Sequence, residues 1–295
     1  MSESQPPAGL YSLDHLTALS VTGEEARGFL NRLLTNEIPP PSGDQAPLAA
    51  LCTPKGRITA LIRVVPTGDG YRLLIDRGLA EETARKLTMY VLRSKVRVAV
   101  EDGVRVIGLA GTVAEQSGEV DGVHREDGLQ VVRLRGETPR YLVAGSGKAI
   151  TAWIEQRDAT LHDDPSPWHL AEIRAGVPHL GAALREQLVP QMIDLDRLGG
   201  VSFTKGCYPG QEVVARAHYR GTIKQRLHRI AGDGAPPAVG AEVRDSEGRL
   251  AGHVVVAAPA TGAAFEALAS LRTEMAEAGD LWVGEKGNGV RLHFH

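Results

Sequence analysis

The reactive side chains of this 295-residue chain crowd into one stretch, residues 199–216, which reads Gly-Gly-Val-Ser-Phe-Thr-Lys-Gly-Cys-Tyr-Pro-Gly-Gln-Glu-Val-Val-Ala-Arg. After Pro209-Gly210 a helical pattern runs over 211–219. It sets Val213, Val214 and Ala217 on one side, with Glu212 and Arg216, four apart, on the other. Cys207 then stands just ahead of a helix N-terminus and close to Lys205. The helix dipole and an ammonium both favour a thiolate there. Lys205 and exposed backbone amides would also suit a carboxylate or other anion. A packed, inert cysteine beside a surface lysine in an ordinary loop-to-helix turn fits the same spacing.

Other familiar chemistry is missing. Cys52 and Cys207 lie too far apart for a Cys-x-x-Cys site or a disulfide framework, and Cys52 sits in an apolar strand pattern that favours an inert thiol. Gly145-Ser146-Gly147-Lys148 lacks the upstream glycine and following hydroxyl of a phosphate loop, so a helix start after a strand accounts for it better. No Gly-x-Gly-x-x-Gly follows a predicted strand, no Gly-x-Ser-x-Gly elbow occurs, and His218 and His228 are too far apart for a local metal pair. No metal is expected to be bound by this chain alone.

The elements that must position residues 199–216 are short and mixed. Strands are predicted at 18–21, 48–52, 57–65, 71–76 and 96–100, with helices at 23–36 and 79–93 and a loose tail at 1–10. Further strands fall at 104–110, 129–134 and 141–144. Helices follow at 148–156 and 168–175, separated by a polar linker or loop at 161–167. Alternating stretches at 227–231, 241–244, 250–256, 281–283 and 290–294 suggest a small barrel or sandwich. Without a βαβ rhythm the class is α+β. Apolar residues make up 42% and aromatics 4%, so the core must be largely aliphatic. A net charge of −3 gives no reason to expect direct nucleic-acid or membrane partners. The polar start resembles no export or transit signal and no run reaches membrane-spanning length, so a cytoplasmic protein is expected.

The run Lys205-Gly206-Cys207-Tyr208-x-Gly210-Gln211-Glu212 resembles the signature of the YgfZ family. Ala215-Arg216 and Arg220-Gly221 are similar to that family too, as are Val189-Pro190-Gln191, Leu34-Thr35-Asn36, Lys55-Gly56-Arg57 and Ser94-Lys95-Val96. The resemblance implies the fold of the glycine-cleavage T-protein: two interlocked α+β units, 1–100 and 101–223, around a central folate-type cavity, with a C-terminal β-barrel over 224–295. It makes 263–271 a strand, although Ala, Glu and Leu there favour helix. It implies tetrahydrofolate or a derivative as cofactor, with Asn36, Lys55, Arg57, Trp168, Glu172, Arg174 and Gln191 as candidate folate contacts. Trp168 could equally anchor its helix in the core.

The family resemblance further implies an accessory protein that supports assembly or repair of iron–sulfur clusters, including those of tRNA-thiolating enzymes. Its partners would be cluster proteins or assembly factors, and Cys207 and Lys205 its functional pair. Two alternatives stand beside this reading: a tetrahydrofolate-dependent aminomethyltransferase, and a non-catalytic docking scaffold. Whether the chain is an enzyme stays open. Where the T-protein carries an Asp pair this sequence has Thr59-Ala60, neither of which can act as a carboxylate. Where it has a pterin-binding Glu this sequence has Arg174, with Glu172 two residues earlier.

Overall fold

The structure is a computed structural model that describes residues 8–111, 118–157, 160–219, 221, 223–284 and 289–294. Arg220 and His295 lie outside them. The first block contains β1 (Gly9–Ser12), β2 (Leu16–Thr22), α1 (Ala26–Asn31), β3 (Leu48–Cys52), β4 (Ile58–Pro66), β5 (Gly70–Asp76), α2 (Arg77–Val91) and β6 (Arg97–Val100). The second contains β7 (Val104–Ala110), β8 (Val123–Glu126), β9 (Leu129–Leu134), β10 (Arg140–Ser146), α3 (Gly147–Glu155), β11 (Leu161–His162), α4 (Ser166–Arg174) and α5 (Gln211–Tyr219). The third contains β12 (Gln225–Asp233), β13 (Glu242–Asp245), β14 (Leu250–Ala260), β15 (Ala264–Arg272), α6 (Thr273–Ala278), β16 (Leu281–Val283), β17 (Val290–Arg291) and β18 (His293–Phe294).

Three sheets result. The first runs β3-β4-β5-β2-β6 and the second β11-β1-β7-β10-β9-β8. Strand β1 pairs antiparallel with β7 and parallel with β11, so the start of the chain completes the second sheet and interlocks the two units. Residues 9–12 are therefore strand rather than tail. The third sheet, β17-β16-β13-β14-β15-β12-β18, has consecutive strands at its two edges and is a nearly closed barrel.

Strand alternation explains how two sheets pack face to face with helices outside. In β5, Tyr71, Leu73 and Ile75 join the core under α1 and α2, while Leu74 faces the second sheet. In β10, Leu142 and Ala144 face the first sheet, while Tyr141 and Val143 pack with Ile150 and Trp153 of α3. The Asp76 carboxylate accepts from Gly78 N–H and the Ser146 hydroxyl from Ala149 N–H, which starts α2 and α3. Ser146 is thus a helix cap and not part of a phosphate loop.

Two departures from local pattern have tertiary causes. Helix α1 stops at Asn31, short of the expected 36, because Leu34 bridges to Leu51 and the Thr35 hydroxyl accepts from Ala50 N–H. Residues 264–272 form a strand because β12 and β14 pair with it on both sides, and helix resumes at 273 where that pairing ends. No described helix is long and apolar enough to cross a membrane.

Candidate functional site

Residues 199–210 are strapped to the turn after α1. The Asn36 side-chain amide donates to Gly199 and Leu48 carbonyls, each within 2.8 Å, and the Thr35 hydroxyl donates to Gly200 O at 2.7 Å. Ser202 N–H donates back to Thr35 O at 2.9 Å. Lys205 then reaches under this turn. Its Nζ donates to the carbonyls of Asn31, Leu34 and Asn36, all at 2.7 Å. An ammonium has three donors, and all three are engaged. Lys205 therefore caps the last carbonyl of α1 and ties it to the turn that follows. Burial pushes its pKa down to about 8, against the opposing pull of Glu37.

Tyr208 is buried beneath Lys205, whose ammonium lies 5.6 Å from the ring centroid. Cys207 and Gly206, between them, are exposed. Cys52 is buried, and burial pushes its thiol up to about 12. The two cysteines thus occupy opposite environments, one open and one sealed.

Gly210 closes the loop against the β3–β4 turn. A side chain there would come within 2.4 Å of Thr53 O, and its φ of +81° favours glycine. That turn carries exposed Lys55, and Arg57 donates to Gln187 O. Gln191, fully buried, donates to Val214 O at 2.7 Å and so ties α5 to the approach segment. Gln211 begins α5, and Glu212 and Arg216 are exposed on it. Val214 is its buried anchor, whereas Val213 is exposed rather than packed with it. Phe203 stacks on His218 at 3.8 Å with Tyr219 edge-on, an aromatic cluster the sequence did not reveal because 203 and 218 share no local period.

A separate, small cavity lies between the first two sheets. Leu61, Leu74, Leu134 and Leu142 give it apolar walls, and His15, Asp76, Glu172 and His179 line it as well. His179 Nε2 lies 2.8 Å from Asp76 Oδ2, and His169 Nδ1 lies 3.3 Å from Glu172 Oε2. The His15 ring sits between the rings of His169 and His179, at 4.6 and 5.0 Å. Of this group only Glu172 is a site residue anticipated from the sequence. The spacing of His169 and Glu172 on one helix was the single local signal.

Trp168 lies behind this wall, fully buried, with the Arg140 guanidinium 5.3 Å from its ring. It packs on Gly108, where any Cβ would meet the indole at 2.4 Å. Arg174 points the other way, to Glu266 of the barrel at 2.6 Å, a carboxylate that also pairs with Arg229. Thr59 donates its hydroxyl to Leu51 O and Ala60 is in the core. Among the described residues no group of three or more His, Cys, Asp or Glu is arranged to hold a metal ion.

The chain is 32% identical over 236 residues to the tRNA-modifying protein YgfZ of Escherichia fergusonii, covering 77% of this chain and 72% of that one. The chain belongs to the YgfZ family. The YgfZ protein of Yersinia pseudotuberculosis is 30% identical over 254 residues, covering 82% and 77%, and that of Vibrio vulnificus 28% over 253, covering 80% and 74%. No protein-family model matches the chain. Its fold is similar to that of the glycine cleavage system aminomethyltransferase T from Bartonella henselae, with a TM-score of 0.79 at 16% identity over 99% of this chain and 86% of that one. The YgfZ signature is thus carried on a T-protein fold.

Proposed function

We propose that this YgfZ-family chain is a cytoplasmic, folate-binding accessory protein that supports assembly or repair of iron–sulfur clusters, and through them the activity of cluster enzymes such as those that thiolate tRNA. The observation that carries the reading is the signature loop, which leaves Cys207 exposed on a loop held by Lys205, Asn36 and Thr35. One cysteine does not hold a cluster, since clusters use several thiolates. Cys207 therefore acts with a partner's thiol or a small thiol.

The cavity suits a reduced folate by its chemistry. Its walls are apolar, and Asp76 and Glu172 offer acceptors to a ring bearing N–H donors. Bound there, a reduced folate would supply a carrier for one-carbon units. Plain aminomethyl transfer is disfavoured because the β4 position of the T-protein's carboxylates holds Thr59, bonded to Leu51 O, and core Ala60. Titration calorimetry with tetrahydrofolate and its formyl derivatives tests the reading and should show saturable binding. No heat and no thermal shift at millimolar ligand would defeat it, because occupied native sites must stabilise the fold.

A further inference from the structure

A larger cleft, of about 520 Å³, opens where α5 meets the barrel, and it shares no lining residue with the cavity between the first two sheets. Val189 and Met192 line it from the turn at 190–193, Ala217 from α5, and Ile223 and Lys224 from the connection into β12. Arg272 and Glu274 come from the end of β15 and the start of α6. The barrel's ladder brings the charged residues to one place. Gln225 pairs with Arg272 across the strands, and Thr273 N–H donates to Lys224 O at 2.9 Å. Gln225 Nε2 donates to Ser270, whose hydroxyl donates to Met192 O at 2.7 Å and so fixes the turn at 190–193 against the barrel.

Gln191 forms the floor of this cleft, and it is buried. Its Nε2 donates to Val214 O at 2.7 Å, which fixes the amide, since a flipped group would set oxygen against oxygen. Its Oε1 accepts no hydrogen bond among the described residues. Buried acceptors are nearly always partnered, so this oxygen calls for a donor that the described residues do not supply. The rim is charged. Lys224, Arg272 and Glu274 are exposed there, and none of the three is in an ion pair among the described residues. Two cations and one carboxylate leave the rim singly positive, a match for one carboxylate rather than for a phosphate dianion. Between floor and rim, Val189, Met192, Ala217 and Ile223 present apolar surface.

A ligand that answers all three features carries an amide N–H, an apolar side chain and a single carboxylate close together. We propose that the cleft binds the C-terminal end of a peptide chain that finishes in an apolar residue. The terminal carboxylate lies between Lys224 and Arg272, where each bond is charge-assisted. The last amide N–H donates to Gln191 Oε1, and the last side chain packs among Val189, Met192, Ala217 and Ile223. Met192 is unbranched and repacks to admit the chain. A simple anion answers the rim and leaves Gln191 Oε1 without a donor; a neutral amide does the reverse. The partner is thus a protein whose tail ends in an apolar residue with a free carboxylate. The inference goes beyond the folate and cluster reading and depends on neither.

The test titrates the full chain with three probes by calorimetry: acetyl-alanyl-leucine with a free carboxylate, its C-terminal amide, and the free acid methylated on the leucine nitrogen. The free acid should bind saturably at millimolar concentration or below. The amide loses the charge and the methylated acid loses the N–H, so each should bind at least tenfold more weakly. Lys224→Ala with Arg272→Ala should also lose at least tenfold for the free acid, at an unchanged melting temperature, because both side chains are exposed. No saturable binding of the free acid overturns the proposal. So does equal affinity for the amide or the methylated acid, or undiminished affinity in the double variant. Sodium acetate competing as well as the peptide would reduce the cleft to an anion contact and overturn it as well. Displacement of the peptide by tetrahydrofolate would overturn the assignment of a separate site, whereas simultaneous binding of the two supports it.

Discussion

Lys205→Met separates the structural work of the signature lysine from any chemical work. Methionine keeps the length and apolar stem of the side chain but removes three donors from the carbonyls of Asn31, Leu34 and Asn36. A hydrogen bond to a charged group contributes about 1.5–3 kcal/mol net. Three such bonds are offset by the cost of holding the ammonium out of water. Burial lowers its pKa to about 8, which marks that cost, and the solvent that still reaches the side chain keeps the cost to part of the gain. The balance is a loss of about 3 kcal/mol on substitution. For a chain of this size that lowers the melting temperature by about 6–12 °C. Urea unfolding with a helix-sensitive signal, alongside a thermal melt, measures both quantities. Lys205→Arg should recover only part, because a flat guanidinium cannot send three donors to carbonyls that converge on one point. A Lys205→Met protein that melts within about 1 °C of the parent but fails in complementation would refute the argument, and would mean the ammonium acts on a ligand.

Cys207→Ser should leave the melting temperature within about 1 °C of the parent, since the thiol is exposed, while abolishing complementation of a strain dependent on a cluster enzyme. Full complementation would rule out a role for the thiol. For His15 the folded pKa of about 4 lies below the ordinary 6.5, so the unfolded chain takes the proton first as pH falls. Its stability contribution is complete above 6.5 and is lost between 6.5 and 4, about 2 kcal/mol of it by pH 5; His15→Gln should flatten that slope in urea unfolding. Gly108→Ala drives a Cβ into the Trp168 ring and should cost about 2 kcal/mol or more, read by chemical denaturation. Arg174→Met should cost about 2 kcal/mol by leaving Glu266 with Arg229 alone, and should leave folate affinity unchanged.

The sequence by itself determined most of the strands, the barrel's position and the signature, but not β1, β8 or β11. The strands at 104–110 and 129–134, and the helix at 211–219, are local facts that survive folding, although α5 buries Val214 and leaves Val213 exposed. The loss of a carboxylate at Thr59-Ala60 was equally legible, since it is a matter of residue type. What the tertiary structure decided are contacts between residues with no common period. The Lys205 ammonium meets carbonyls about 170 positions earlier in the chain because residues 199–202 are strapped to 35–36. Side-chain charge said "thiolate partner or anion contact", and only the position of that strap made the lysine a helix cap. Likewise His15, Asp76, His169, Glu172 and His179 come from a turn, a strand end, one helix and the loop that follows it, and become one cluster when the two sheets and α4 close around the cavity. Residues 264–272 show the same limit. Their composition favours helix, and the hydrogen bonds offered by β12 and β14 on both sides make them strand, because a buried backbone must satisfy its donors and acceptors with the partners its neighbours present.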